Sequence, residues 1–357
     1  MLPDPSAQTP KPFHIAVMPG DGIGPEVAEE AVRLLNALAA SDSTLRFEFE
    51  TLDVGAGAYL RHGNPLPEEA LTAAGRADAM LLGAMGLPEV RWPDGREMTP
   101  QIDLRERFDL YAGLRPIKLY HPEDSPLKGY GESRPIDFIL VRESTEGLFS
   151  ARLHQQDSEG QESRDVLRIT RKGAERVCRR AFELARRRRK KCTLVDKANV
   201  LPSMVFFRKI FEEVGNEFPD VAREHVYVDA MALFMVRKPD VYDVIVTENM
   251  FGDILSDLAA GIVGGMGMAP SGDIGDRFGV FQPSHGTAPD IAGKNIANPV
   301  AMILSAAMML DWLGLADPAS RIEAAVSRTL ADPGKRTPDM GGKLGTTAMT
   351  DAILAEL

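Results

Sequence analysis

The stretch Pro19-Gly20-Asp21-Gly22-Ile23-Gly24-Pro25-Glu26-Val27 follows an apolar run, Phe13-His14-Ile15-Ala16-Val17-Met18. A strand, a glycine loop and a helix in that order open many nucleotide sites, because the helix N-terminus presents free amides to phosphate. The dinucleotide fingerprint needs G-x-G-x-x-G, and counted from Gly20 its third glycine falls on Pro25. Asp53, in the region where an acidic ribose ligand would stand, is a decoy that does not rescue the pattern. Pro25 suits the first position of a helix, where no amide hydrogen is needed. The stretch is a strand, a turn and a helix start, but not that fingerprint.

Outward from this loop, strand-like and helix-like segments alternate, the mark of an α/β chain. The pattern predicts strands over Phe13–Met18, Leu45–Leu52, Ala77–Leu82, Ile136–Val141, Cys192–Asp196 and Val241–Thr247. Arg164–Thr170 reads as one arm of a hairpin with Gln155–Ser163 at its tip. Helices are expected over Pro25–Leu38, Lys172–Lys191, Met250–Ile262, Ala301–Leu313, Ser320–Leu330 and Thr346–Leu357, and the glycine-rich Gly264–Gly279 reads as loop.

The chain of 357 residues has room for two domains, and its formal charge of -11 opposes a general affinity for nucleic acid or anionic membrane. The basic run Arg186–Lys191 then reads as a solvated helix end beside the negative pole of the dipole. Pro299–Leu310 is apolar but shorter than the roughly 20 residues a membrane span needs, so a buried helix is expected. Two cysteines, Cys178 and Cys192, and a proline-rich start without an apolar signal core fit a reducing cytoplasm.

Chemistry concentrates in Thr247-Glu248-Asn249-Met250-Phe251-Gly252-Asp253-Ile254-Leu255-Ser256-Asp257. Asp253 and Asp257, four apart on a helix, share a face and repel unless a cation lies between them. Two readings stand at this point: a solvated pair, or oxygen ligands for Mg²⁺ or Mn²⁺. Arg105 and Arg115 bracket Leu104–Pro116, and Arg142 follows a predicted strand, a place where a guanidinium can grip a carboxylate bidentately; the alternative for each is a salt bridge to a neighbour such as Glu106 or Glu143.

Together these segments resemble the β-decarboxylating dehydrogenases of (2R)-malate-type acids, the family of 3-isopropylmalate, isocitrate, homoisocitrate and tartrate/D-malate dehydrogenases. The likeness runs from about Phe13 to the C-terminus. It rests on Gly20–Glu26, Val195-Asp196-Lys197-Ala198-Asn199-Val200-Leu201, Thr247–Asp257 and His285-Gly286-Thr287-Ala288-Pro289-Asp290. The resemblance implies a two-domain α/β fold with a central, mostly parallel sheet that is not a Rossmann fold. The large cofactor domain would take 1–109 and 264–357. A smaller dimerisation domain would take 110–263, with the hairpin arm near 150–170.

It also implies roles. Arg105, Arg115 and Arg142 would hold substrate carboxylates, and Lys197 would be the general base on the C2 hydroxyl. Asp253 and Asp257 would bind the metal with Asp229 of a second chain, which makes the active unit at least a homodimer with shared sites. Asn199 would meet the nicotinamide ribose; His285, Gly286, Thr287 and Ala288 the adenosine; Asn298 the adenine. Asp290 would accept both ribose hydroxyls and repel a 2′-phosphate, so the expected cofactor is NAD.

Three departures qualify this expectation. Phe149 stands where the family has the tyrosine thought to protonate carbon after decarboxylation. Gln101 and Ile102 stand where isopropylmalate enzymes place paired leucines, so the C3 substituent is expected to be polar or absent. Gln282 replaces a usual glutamate. The expected activity is NAD- and metal-dependent oxidation of a 2-hydroxy acid, 3-isopropylmalate dehydrogenase-like. The alternatives are a tartrate/D-malate or isocitrate type, or a non-catalytic regulatory homologue. Retention of Lys197, Asp229, Asp253, Asp257 and all three arginines favours an enzyme.

Overall fold

The computed structural model describes residues 11–152, 156–157 and 160–357. Two compact units emerge, one running to Pro100 and resuming over Val280–Leu357, the other spanning Gln101–Gly279.

In the first unit, parallel strands lie in the order Phe47–Thr51, Phe13–Gly20, Ala79–Ala84 and Gly279–Pro283. Ala79–Ala84 is wholly buried, as expected of a strand covered on both faces, whereas Phe47–Thr51 at the edge alternates half-buried phenylalanines with exposed glutamates. Helices Gly24–Ser41, Val300–Trp312, Ala316–Leu330 and Thr346–Leu354 pack together beside it. Val300–Trp312 is buried on nearly every side, which explains its unbroken apolar sequence.

The glycine loop takes its form from close approach. Gly20 and Gly22 have φ of 75° and 59°, and a Cβ on either would run into the carbonyl of Ala84 or Thr287. Asp21 is buried and accepts from the amides of Ala56 (2.7 Å), Gly57 (2.7 Å) and Gly86 (2.9 Å). Its carboxylate therefore ties three chain segments together and is turned inward.

In the second unit the strand order is Pro270–Ile274, Ala112–Lys118, Asp137–Glu143, Val244–Thr247, Lys191–Asp196 and Ala222–Tyr227. The first two pairings are antiparallel and the rest parallel. Phe138, Tyr242, Met231, Met235 and Leu255 join the core that seats helix Val228–Arg237 against helix Asn249–Gly261.

Four expectations are corrected here. Gly264–Gly279 is not all loop: it holds a 3-10 turn, Met266–Met268, and the fully buried strand Pro270–Ile274. The helix expected over Lys172–Lys191 ends at Arg186. Beyond it Arg187, Arg189 and Lys190 are exposed as expected, whereas Arg188 binds Asp137 (2.7 Å) and Asp243 (2.8 Å), and Lys191 begins a strand and pairs with Glu224. Among the described residues the hairpin is Gln156–Asp157 paired with Ser163–Arg164, so Arg164–Thr170 is not a strand arm; Gln155, Ser158 and Glu159 of the expected tip lie outside the described residues. Val241 closes a 3-10 turn, and the strand begins at Val244. Among the described residues no helix is long and apolar enough to cross a membrane.

The Asp21 knot yields a stability prediction. Asp21→Ala orphans three amides and is expected to lower unfolding stability in urea by about 3 kcal/mol or more, with Asp21→Asn losing less. An unchanged midpoint for Asp21→Ala would contradict the inward role.

Candidate functional site

The three arginines converge within the second unit. Arg105 comes from the last turn of helix Pro100–Arg107, Arg115 from strand Ala112–Lys118, and Arg142 from strand Asp137–Glu143. All three are buried, with exposures of 7%, 4% and 3%. Arg142 lies inside its strand and not beyond it. Its Nε and Nη2 donate to Asn249 Oδ1 at 2.9 and 2.7 Å, and its Nη1 pairs with Asp253. The Arg142 guanidinium also sits over the Phe149 ring, 5.1 Å from the centroid, so the side chain at 149 packs on one of the three arginines. Neither Glu106 nor Glu143 pairs with these arginines: Glu106 binds Arg152, and Glu143 accepts from Thr145 and from the Glu146 amide.

A residue that sequence reasoning missed joins them. Asp273 on strand Pro270–Ile274 accepts from Arg105 Nε (3.1 Å) and Arg115 Nη2 (3.3 Å). Burial alone would raise its carboxyl, but the fields of Arg105, Arg115 and Arg142 prevail and hold it at about 2. Burial and the neighbouring charge of Arg105 push Arg142 down to about 10. The signal that could have found Asp273 was its alternation in Pro-Ser-Gly-Asp-Ile, hidden by the surrounding glycines.

Asp253 and Asp257 stand on helix Asn249–Gly261, whose N-terminus is capped by Glu248 accepting from the Phe251 amide at 2.7 Å. Both carboxylates are exposed, and Asp253 also pairs with the buried Arg142. Desolvation by packed neighbours, and then the charge of Asp253, raise the Asp257 carboxyl. Two hard, like-charged oxygen donors in this state suit a divalent cation, which would remove their mutual repulsion. Lys197 and Asp229 pair at 2.6 Å, Lys197 half-buried and Asp229 exposed, with Asn199 exposed close by in sequence. Asp229 is held below the usual carboxylate range by the Lys197 hydrogen bond. Among the described residues of one chain, no group of three or more acidic, His or Cys side chains is placed to hold a metal. Gln101 lies one helical turn before Arg105, and its Oε1 is buried with no hydrogen-bond partner; Ile102 beside it is half-buried.

In the first unit two of the motifs meet. Ile23 donates to the Thr287 carbonyl at 2.8 Å, which seats the glycine loop on the His285–Asp290 turn. His285 Nδ1 is 2.9 Å from the Gly286 carbonyl and its Nε2 is buried without a partner. Gly286 has open space where a Cβ would be, Ala288 takes φ 36°, and Asp290 is exposed. An orphaned ring nitrogen beside an open glycine and a free-standing carboxylate fits the adenosine end of a dinucleotide. Asn298 is buried, donates to Asp339 (3.1 Å) and caps the start of helix Val300–Trp312 through the Val300 amide (3.0 Å). Asp53 is engaged by Arg61 and His62, in keeping with its reading as a decoy.

The family model for isocitrate/isopropylmalate dehydrogenase matches residues 14–353. The chain belongs to that family. The 3-isopropylmalate dehydrogenase of Aquifex aeolicus is 44% identical over 97% of this chain and 98% of its own length. That of Moorella thermoacetica is 46% identical over 97% and 99%. The crystal structure of isocitrate dehydrogenase from Methylococcus capsulatus overlays with a TM-score of 0.87 at 37% identity, covering 96% of this chain and 99% of that one. A β-decarboxylating dehydrogenase from Thermococcus kodakarensis gives 0.80 at 41%, covering 96% of each. The family is one of dehydrogenases, and membership implies a dinucleotide, a divalent metal and a small-molecule substrate.

The arginine cluster makes acid stability informative. Asp273 is depressed on folding, so its contribution is complete above the unfolded range near pH ~4 and is lost as pH falls toward about 2. Asp273→Asn is expected to be less stable at neutral pH and to have a flatter stability curve between those limits in urea titrations. A parallel curve would contradict the assignment.

Proposed function

We propose that this protein oxidises a (2R)-malate-type 2-hydroxy acid with NAD⁺ and Mg²⁺ or Mn²⁺, in the manner of 3-isopropylmalate dehydrogenase. The observation that carries the reading is the buried trio Arg105, Arg115 and Arg142, with Asp253 pairing to Arg142 from a solvent-facing helix. The trio grips substrate carboxylates, and their burial strengthens each charge-assisted bond. When bound, the metal would acidify the C2 hydroxyl and NAD⁺ would accept the hydride. Lys197 takes the hydroxyl proton, Asp253 and Asp257 hold the cation with Asp229, and Asn199 faces the nicotinamide ribose. His285, the Gly286–Ala288 turn and Asn298 hold the adenosine end, and Asp290 selects NAD by repelling a 2′-phosphate.

Phe149 has no proton to donate, so release of CO₂ is expected to lag behind oxidation. The test is a panel of (2R)-malates with Mn²⁺, scored for NADH and CO₂. NADH should exceed CO₂, and Phe149→Tyr should raise CO₂ severalfold more than NADH. Equal yields in the unaltered protein would remove the role given to Phe149, and no turnover on any acid would favour the regulatory alternative.

The buried, unpartnered Oε1 of Gln101 favours a second reading of the substrate, in which the C3 group offers a hydroxyl or amide hydrogen. An isopropyl group would leave that acceptor unpaired.

The active form proposed is a homodimer with shared sites. Exposed Val200, in the turn after Lys197, and Val205, Leu233, Val236 and Ile254, on helices Pro202–Gly215, Val228–Arg237 and Asn249–Gly261, are apolar side chains that a second copy would cover. Lys197→Ala and Asp253→Asn should each abolish activity. Mixed and refolded together, they should recover about a quarter of it, because half the dimers then carry one intact site. No recovery, with dimers shown to have exchanged, would contradict sharing.

A further inference from the structure

Asp273 is a carboxylate where the site is built to bind carboxylates. Its strand runs antiparallel to Ala112–Lys118 with Asp273 opposite Gly113, and Gly113 is in turn opposite Arg142 on Asp137–Glu143. Residues directly opposite in neighbouring strands point to one face, and Arg115, two on from Gly113, points there too. Asp273 and Arg142 thus stand in one row with the glycine as a gap between them, and Arg115 lies beside that row on the same sheet face. A Cβ at Gly113 would come within 2.7 Å of Ser144 Oγ and 2.9 Å of Asp273 Oδ1, so the absence of a side chain at 113 makes room for the acid. Ser144 Oγ lies 3.4 Å from Asp273 Oδ1, and the Asp273 side chain is 1% exposed.

We propose that Asp273 is a specificity-determining residue: an internal anion that occupies one carboxylate's share of the arginine cluster and restricts the substrate to dicarboxylic 2-hydroxy acids. Three guanidinium cations and one permanent carboxylate leave two positive charges for the ligand. A dianion balances them, whereas a tricarboxylate brings a third negative charge beside a buried aspartate, where water cannot screen the repulsion. Asp273 also aims its partners. With Arg105 Nε and Arg115 Nη2 committed to it, Arg115 Nη1 on the Leu114 carbonyl and Arg142 on Asn249 and Asp253, the guanidinium planes are fixed before a ligand arrives. Asp253 differs from it: its side chain is half exposed, and it reaches Arg142 from the solvent side.

The inference rests on the proposed assignment of the arginines as carboxylate ligands, and a binding readout separates the two. The measurement is calorimetric binding of metal-free protein to malonate, succinate and tricarballylate, before and after substitution at 273. The unaltered protein should bind the better dicarboxylate at least about tenfold more tightly than tricarballylate. Asp273→Asn and the smaller Asp273→Ser should each shrink that ratio by about tenfold or more, with a raised KM and a nearly constant kcat wherever turnover is measurable. Equal affinity of the unaltered protein for both classes overturns the proposal even if neither variant folds. Folded variants that keep the original ratio overturn it as well, because a merely structural aspartate would behave so. A dicarboxylate preference without turnover on any acid leaves Asp273's role standing and removes only the proposed reaction.

Discussion

Three guanidinium groups share one buried cluster only because a carboxylate lies among them. Arg105, Arg115 and Arg142 are nearly excluded from solvent, and Asp273 bonds to two of them from the interior. Stripping water from three cations is expensive, and buried ion pairs seldom stabilise a fold beyond that cost. What such a cluster supplies is direction: the donors are oriented before any ligand arrives, and the charge left over is set by how many anions the protein itself contributes. The architecture of the second unit follows this need. A helix end and two strands deliver the arginines, and a third strand delivers the acid across a glycine gap.

The loop at Gly20–Pro25 shows a different economy. Its sequence looks like a phosphate cradle, yet Asp21 turns inward to hold three amides, and the glycines are there for backbone contact with Ala84 and Thr287. The family resemblance and the structure agree on why the fingerprint fails. The third position carries Pro25 because a helix begins there, and the loop's partner is the His285–Asp290 turn.

Much of this was legible. Strands with continuous apolar runs, such as Ala79–Ala84 and Lys191–Asp196, announce themselves, as does the buried helix Val300–Trp312. The arginines and the paired aspartates were visible as residue types at telling spacings. Asp273 was not, because glycines on either side mask a five-residue strand whose conformation comes from pairing with Ala112–Lys118 and not from local propensity. Arg188 within the basic run was misread for a related reason. Charge reads as solvent-facing in sequence, but Asp137 and Asp243 are far along the chain and become its partners only on folding. Lys197 and Asp229 pair with each other, and among the described residues of one chain no group of acids is placed to cage a cation. No pattern in one sequence contains a second copy.

The central claim is that this site is assembled from two chains around a divalent ion. Anomalous diffraction from crystals grown with Mn²⁺ tests it most directly. The account predicts a manganese peak bounded by Asp253 and Asp257 of one chain and Asp229 of another. A peak held by a single chain, or no peak near Asp253 and Asp257 at saturating Mn²⁺, would contradict it.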